Sequence, residues 1–593
     1  KHLAYLTNTT GTSQVWSIDL PAGTPKPLTN YEDNVSFVRW LPDGGGIIFG
    51  KAKGGDENTQ FFWMKTDGSG VKQLTGDLKV RHNFAEISDD GKTIYYGSNK
   101  RNRNFFDIYS MDLATGREDL VYQQDGSNEL AAVNGGGGKF IISRDGIDLS
   151  LDNNLYLVDA KTKQETLLTP HTGASQFGDV HFVADGIVFA HNDGREFYSL
   201  AQMRKKNAAG DDWSDANREV KILDTINPWD IGSIAKTPYG NTIVYTINRE
   251  GFSELYLRRV ETDGKPRIST VSIRPERIQL PVQGIVGGVT LSDDQEKIAF
   301  SFNSATNNGD IWIYDRAKFK AEQVTHSDRA GIDSKSFIVP ELIKYKTFDG
   351  REIPAWYYRN RVALRNHLPV IVSVHGGPEG QERPGFNPLY QYYLSRGYAV
   401  LATNVRGSTG YGKTFTHLDD VRKREDSVKD LAYAVEWLKS KGRADPKRIA
   451  VMGGSYGGYM TLAAITLYPE LWAAAVDTVG IANWESFLKN TSGYRRRQRE
   501  VEYGMLDKDI DFLRSISPIA KVDKIKTPLF VIAGKNDPRV PYTEAEQMVG
   551  ALKERGAVVE YKLYDDEGHG ISKLKNRLEL YPLVADFLDR YMK

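Results

Sequence analysis

The chain has 593 residues, too many for one ordinary core, and its 40% hydrophobic and 26% charged content is that of a globular protein. Lys+Arg and Asp+Glu both number 77, so the net charge is zero, which argues against nucleic acid or an anionic membrane as the main partner. The cysteine count is 0, excluding disulfides, thiolate metal sites and a cysteine nucleophile.

No run reaches the roughly 18 apolar residues of a membrane helix, and no signal peptide is visible. The chain begins at Lys1, directly in strand-like sequence from His2 to Leu6, so an upstream segment is expected to have been removed. A soluble protein is expected, with the periplasmic or secreted and the cytoplasmic settings both open.

The first half is repetitive. A turn followed by an alternating strand recurs at Leu41–Gly50, Ile87–Tyr96, Thr237–Thr246 and Leu291–Phe300. A second pattern, apolar and aromatic, follows about 15–20 residues later, as successive strands of one blade would. Its copies are Val15–Asp19, Phe61–Lys65, Asp107–Met111, Asn154–Val158, Glu196–Leu200, Glu254–Arg258 and Asp310–Tyr314. Fixed-period repetition with Asp-Gly and Gly-Gly hairpin turns favours a radial array over a sandwich. A seven-bladed β-propeller is predicted over residues 1–335, its first blade incomplete.

The pattern changes near residue 335. Pro340–Gly350 and Ile353–Tyr358 read as strands, and from Leu368 buried strands alternate with amphipathic helices. Pro369–Val374, Tyr398–Thr403, Ile449–Met452, Ala473–Val476, Leu529–Ile532 and Val558–Leu563 are near-continuous apolar runs. Asp426 to Lys439 carries Val428, Leu431, Val435 and Leu438 on one face. This alternation predicts a second domain over 336–593, with a doubly wound, mostly parallel sheet covered on both faces.

Gly453-Gly-Ser455-Tyr-Gly457 matches the sharp strand-to-helix turn that lifts a serine hydroxyl above such a sheet. A strand precedes it and a helix rich in small residues follows. The acid is expected after a later strand and the histidine after the next, which selects Asp537 and His569. Asp477, which ends an earlier strand, is the alternative acid. Asp565, Asp566 and Glu567 read as a solvated loop. His569 would take the Ser455 proton, and Asp537 would hold the imidazole tautomer. An oxyanion hole would use the N–H of Tyr456 and one from the loop His375-Gly-Gly-Pro378, where Gly377 is the choice. His375 itself reads as a structural or wall residue, and Arg406 as an anchor for its Gly-rich loop.

With these residues in place the chain resembles the prolyl oligopeptidase family of serine peptidases. The resemblance rests on His375–Pro378, Asn404–Gly412, Gly453–Tyr459, Asn536–Pro541 and Asp566–Gly570, and its His-Gly-Gly-Pro loop is most similar to the acylaminoacyl-peptidase branch. It implies an α/β-hydrolase peptidase domain over 336–593 and a propeller that restricts entry to short peptides. By the same resemblance, Trp484 and Phe487 would line an apolar pocket, with helix core as the alternative. The chain departs from the dipeptidyl peptidase IV branch, whose amine-anchoring Glu-Glu pair is not seen in its usual context.

Tyr494–Arg499 is the densest basic cluster. Arg495, Arg496, Arg497 and Arg499 are candidates to hold a substrate carboxylate bidentately; the alternative is a solvated helix face paired with Glu500 and Glu502. The expected function is an acylaminoacyl-peptidase-like exopeptidase acting on short peptides through an acyl-enzyme. A carboxypeptidase, a carboxylesterase and a propeller binding module with an inactive hydrolase are the alternatives. No cofactor is expected, and the histidines fall in no ligand-spaced cluster, so no metal is expected either. A homo-oligomer stays open.

Overall fold

A computed structural model describes residues 2–20, 23–207, 212–225, 228–237, 241–260, 272–360 and 367–593. Its first half consists of seven small antiparallel sheets taken in chain order, a seven-bladed β-propeller. Six have four strands; the first, from His2 to Pro27, has three. The second sequence pattern falls on the next-to-last strand of the sheets, as in Gln14–Asp19, Gln60–Met64 and Phe105–Asp112. In the four-stranded sheets these strands and the ones before them form the buried middle, packed between neighbouring blades. Three of the turn-and-strand repeats lead into Ile47–Lys51, Thr93–Asn102 and Lys297–Ser304. The Thr237–Thr246 repeat feeds Thr242–Arg249, while its turn residues 238–240 lie outside the described residues.

The fifth blade departs from the predicted register. Its strand is Ser199–Lys205, not Glu196–Leu200. Glu196 instead accepts from the backbone N–H and hydroxyl of Thr414, so a contact with the other half of the chain displaces the strand start.

The second half is an eight-stranded sheet. Its strands are β1 (Glu341–Lys346), β2 (Glu352–Tyr358), β3 (Leu368–Val374), β4 (Ala399–Thr403), β5 (Ala444–Gly454), β6 (Ala474–Thr478), β7 (Leu529–Gly534) and β8 (Val559–Tyr564). They lie in the order β1-β2-β4-β3-β5-β6-β7-β8, antiparallel at the first two pairings after β1 and parallel from β4 onward. The helices that matter for the site are α1 (Arg424–Ser440), α2 (Tyr456–Leu467), α3 (Trp484–Asn490), α4 (Gly493–Tyr503) and α5 (Leu574–Met592). Val428, Leu431, Val435 and Leu438 of α1 are fully buried against one face of the sheet, and Val584, Phe587 and Leu588 of α5 against the other. With both faces covered, the central strands carry no polar face, which is why they read as unbroken apolar runs.

Candidate active site

The parallel strands all end at one edge of the sheet, and the loops leaving β5, β7 and β8 meet there. Ser455 sits between β5 and α2 with φ +58° and ψ −121°, a backbone state that L residues adopt only when the surroundings enforce it. The enforcement is close packing. A Cβ on Gly453 would overlap the Gly457 carbonyl, and one on Gly457 would overlap the Val374 carbonyl at the end of β3. The Ser455 N–H is held by the Thr478 carbonyl at 2.9 Å, at the end of β6.

Asp537 follows β7 and is buried. Its Oδ1 accepts the backbone N–H groups of Arg539 (2.8 Å) and Val540 (3.0 Å), which leaves Oδ2 free to accept from His569 Nδ1 at 2.7 Å. With Nδ1 carrying the proton, Nε2 of a neutral ring is an acceptor. No hydrogen bond joins Ser455 Oγ to His569 in this conformation among the described residues; such links are commonly loose before substrate binds. The alternative acid, Asp477, is fully buried beside Gly458 and Gly480 behind the start of α2. Burial pushes its carboxyl up to about 7, against a smaller opposing pull from the Gly480 amide.

The His569 loop differs from the expected solvated loop at one residue. Glu567 is buried and accepts from the Ser572 and Lys573 backbone N–H groups and from Asn576, tying the loop to the start of α5. Asp566 pairs with Lys573 and Lys575. These ties are sequence-local, but nothing in the composition of Asp565-Asp-Glu567 distinguishes the one inward carboxylate.

A pocket in front of Ser455 is walled by Gly377, Ile481, Phe487, Arg495, Arg499, Tyr503, Arg539 and Val540. The Gly377 carbonyl accepts from the Tyr503 hydroxyl at 2.7 Å and from Arg499 at 3.3 Å, so its loop is anchored to α4. The first N–H groups of α2, that of Tyr456 included, have no acceptor within their own helix. Trp484 is fully buried and packs on Tyr459, Tyr503 and Phe487, so it backs the pocket while Phe487 lines it. His375 is half-buried, with Nδ1 against the Gly376 carbonyl and Nε2 against Ser408 Oγ, both at 2.8 Å. Arg406 is spent on Asp430 and Asp349 and stacks over Phe348.

Helix α4 divides the arginine cluster by its period. Arg495 and Arg499, four residues apart, face the pocket. Arg496 and Arg497 face solvent, where Arg496 pairs with Glu500 at 3.2 Å. Glu502 is not part of a solvated face, contrary to expectation. It is buried and bonded to Arg424 and to Ser150 of the propeller, and burial raises its carboxyl. Arg499 is paired with Glu379 at 3.2 Å. Arg495 has no carboxylate partner among the described residues, and burial, with Arg499 and Arg539 alongside, lowers its pKa.

Sequence reading missed Arg539 and its propeller partner. Arg539 is bonded to Glu57, which also binds Arg81 at 2.6 Å, and Arg81 donates to the Tyr494 hydroxyl at 2.8 Å. The same propeller turn reaches the histidine loop: Asn536 donates to the Gly54 carbonyl at 2.9 Å, and Gly55 packs backbone to backbone on Gly568. Position two after the candidate acid was visible in the sequence; a partner some 480 residues away was not.

Comparison with known proteins now adds ancestry. Residues 384–593 match the model of the prolyl oligopeptidase family. Over 99% of the chain, and 85% of the relative, it is 26% identical to dipeptidyl aminopeptidase BIII of Pseudoxanthomonas mexicana. It is 27% identical to dipeptidyl peptidase family member 6 of Caenorhabditis elegans over 96% of the chain and 79% of the relative. Its similarity to the acylamino-acid-releasing enzyme of Arabidopsis thaliana, 31% identical, covers 38% of the chain and 30% of the relative. A structure from a study of two prolyl endopeptidases superposes with TM-score 0.85 at 19% identity, covering all of this chain and 88% of the other. Acylaminoacyl peptidase of Pyrococcus horikoshii superposes at 0.71 with 21% identity, covering all of this chain and 94% of its own; both show the fold.

Proposed function

Because this chain belongs to the prolyl oligopeptidase family and is a serine peptidase, we propose that it cuts short peptides through an acyl-enzyme on Ser455 and recognises a free carboxylate close to the scissile bond, as a carboxypeptidase does. The observation that carries this reading is Arg495, a cation without a carboxylate partner among the described residues, in the same pocket as Ser455. A partly buried guanidinium is costly unless an anion joins it, and a substrate carboxylate offers the bidentate match.

In this reading His569 Nε2 takes the Ser455 proton as Oγ attacks the scissile carbonyl. Asp537 keeps the proton on Nδ1 and stabilises the imidazolium. The Tyr456 and Gly377 N–H groups receive the oxyanion. His569 then returns the proton to the leaving amine, and water, activated by the same ring, releases the acyl group. The propeller turn at Gly54–Glu57, against the histidine and acid loops, supports restricted entry for large substrates.

A second reading is release of an N-blocked residue, the activity named for the acylaminoacyl relatives. Phe487, Ile481 and Val540 favour it by giving the pocket an apolar wall for the side chain before the cut. One set of peptides separates the two: a free peptide, its C-terminal amide and its N-acetyl form, with products read by mass spectrometry. Carboxylate recognition requires the amide to be cut at least about tenfold more slowly than the free acid. Equal cutting of the two, with preference for the N-acetyl form, would replace it with the second reading.

A further inference from the structure

The propeller contains a cavity of its own, about 340 Å³, between the fourth and fifth blades, and Ser455 is not among its walls. Phe177, Phe189 and Met203 give it an apolar floor. His191 stands in the wall, 7% exposed, stacked parallel on Phe177 with ring centroids 5.8 Å apart. Its Nδ1 accepts the Asp193 backbone N–H at 3.3 Å, so the proton of the neutral ring is on Nε2. Burial pushes this imidazole down to about 4, which keeps it neutral at physiological pH. Yet Nε2 has no hydrogen-bond partner among the described residues. A buried N–H donor without an acceptor is costly, and each such group in a folded protein calls for an explanation.

The walls carry two charges of each sign: Arg218 and Asp215 pair with each other at 3.0 Å, and Asp193 and Arg195 stand on the turn after His191. Arg195 is exposed and makes no ion pair among the described residues. Asp193 accepts from Ser175 Oγ at 3.2 Å and pairs with no cation there. The walls therefore offer an N–H donor, a guanidinium and a carboxylate above an apolar floor. A volume near the lower end of small-ligand pockets suits a molecule of one residue rather than a peptide.

We propose that this cavity binds a free α-amino acid with an apolar side chain. The side chain lies against Phe177, Phe189 and Met203; the carboxylate meets His191 Nε2–H and Arg195; the ammonium group meets Asp193. Such amino acids are also the class of product that peptide hydrolysis releases, and this binding place is separate from the nucleophile.

Isothermal titration of L-phenylalanine into the full chain, with Ser455 first blocked by a fluorophosphonate, tests this. One saturable site per chain is expected. Arg195→Ala, an exposed change that leaves the fold alone, and His191→Phe, which keeps the stack on Phe177 and removes the donor, are each expected to weaken binding about tenfold or more. N-acetyl-L-phenylalanine and L-phenylalanine amide, each lacking one of the two charges, are expected to bind correspondingly less. The proposal is overturned by absence of saturable binding, by loss of binding on blocking Ser455, by binding that Arg195→Ala and His191→Phe both leave unchanged, or by equal binding of the capped analogues.

Discussion

At the scale of single residues, the proposed chemistry depends on how few freedoms Asp537 has. Two backbone N–H groups fix one oxygen, so the other can only face His569. Asp537→Asn keeps the shape but offers the ring an amide, and kcat is expected to fall about 10⁴-fold with KM little changed. Ser455→Ala is expected to remove turnover to background and to abolish fluorophosphonate labelling. Arg495→Ala is expected to raise KM for free-acid peptides about tenfold and to leave amidated ones alone. Asp477 makes a different kind of prediction. Its carboxyl titrates near 7 when folded and near the model-compound value of 3.8 when unfolded. Between those values the folded state binds the extra proton, so its contribution to stability is present in acid and is lost as pH rises through 7. Asp477→Asn removes that loss. The urea midpoint of the variant, relative to wild type, is expected to be higher at pH 8 than at pH 5; a constant difference would contradict this.

At the scale of elements, the turn around Ser455 and helix α4 show two ways in which backbone geometry sorts side chains. The turn works by exclusion: its neighbours leave no room for a Cβ at Gly457, where α2 meets the end of β3. Gly457→Ala is expected to cost a few kcal/mol in stability, read as a lowered melting temperature, and to reduce kcat in the protein that still folds. Helix α4 works by period, carrying Arg495 and Arg499 inward while Arg496 and Arg497 turn out. All four were equal candidates in the linear sequence because the phase of a helix against its neighbours is a property of packing. The propeller strands were legible for the opposite reason. A strand packed between blades needs an apolar and aromatic run at its centre, and that run repeats visibly. The fifth blade shows the limit, since Glu196 looks like a strand residue until its partner Thr414 is brought beside it.

At the scale of the whole molecule, the two halves of the chain share the site. The turn Gly54–Glu57 of the second blade touches the loops that carry Asp537 and His569, through Asn536, Arg539 and Gly568. Gly55 meets the Gly568 backbone with no space for a side chain. Gly55→Val is therefore expected to push the histidine loop and lower kcat by about tenfold or more, while a separate melting transition of the hydrolase half stays near its wild-type value. An unchanged kcat would show that the loop holds its geometry without the propeller. Glu502 belongs to the same boundary: buried with Arg424 and bonded to Ser150, it joins α4 to the fourth blade.

Repetition, apolar periodicity and the order of loops along the chain were enough to read the fold and to nominate the residues proposed for catalysis, because each follows from local backbone rules, while the family resemblance rested on short motifs. Which arginines face the pocket, that Glu567 and Glu502 are buried, and that Glu57 and Gly55 stand at the site were decided only in three dimensions. For Glu57, Gly55 and Glu502 the deciding contacts join segments hundreds of residues apart, and for the arginines and Glu567 they set the phase of a helix or a loop; neither leaves a periodic trace in the segment alone.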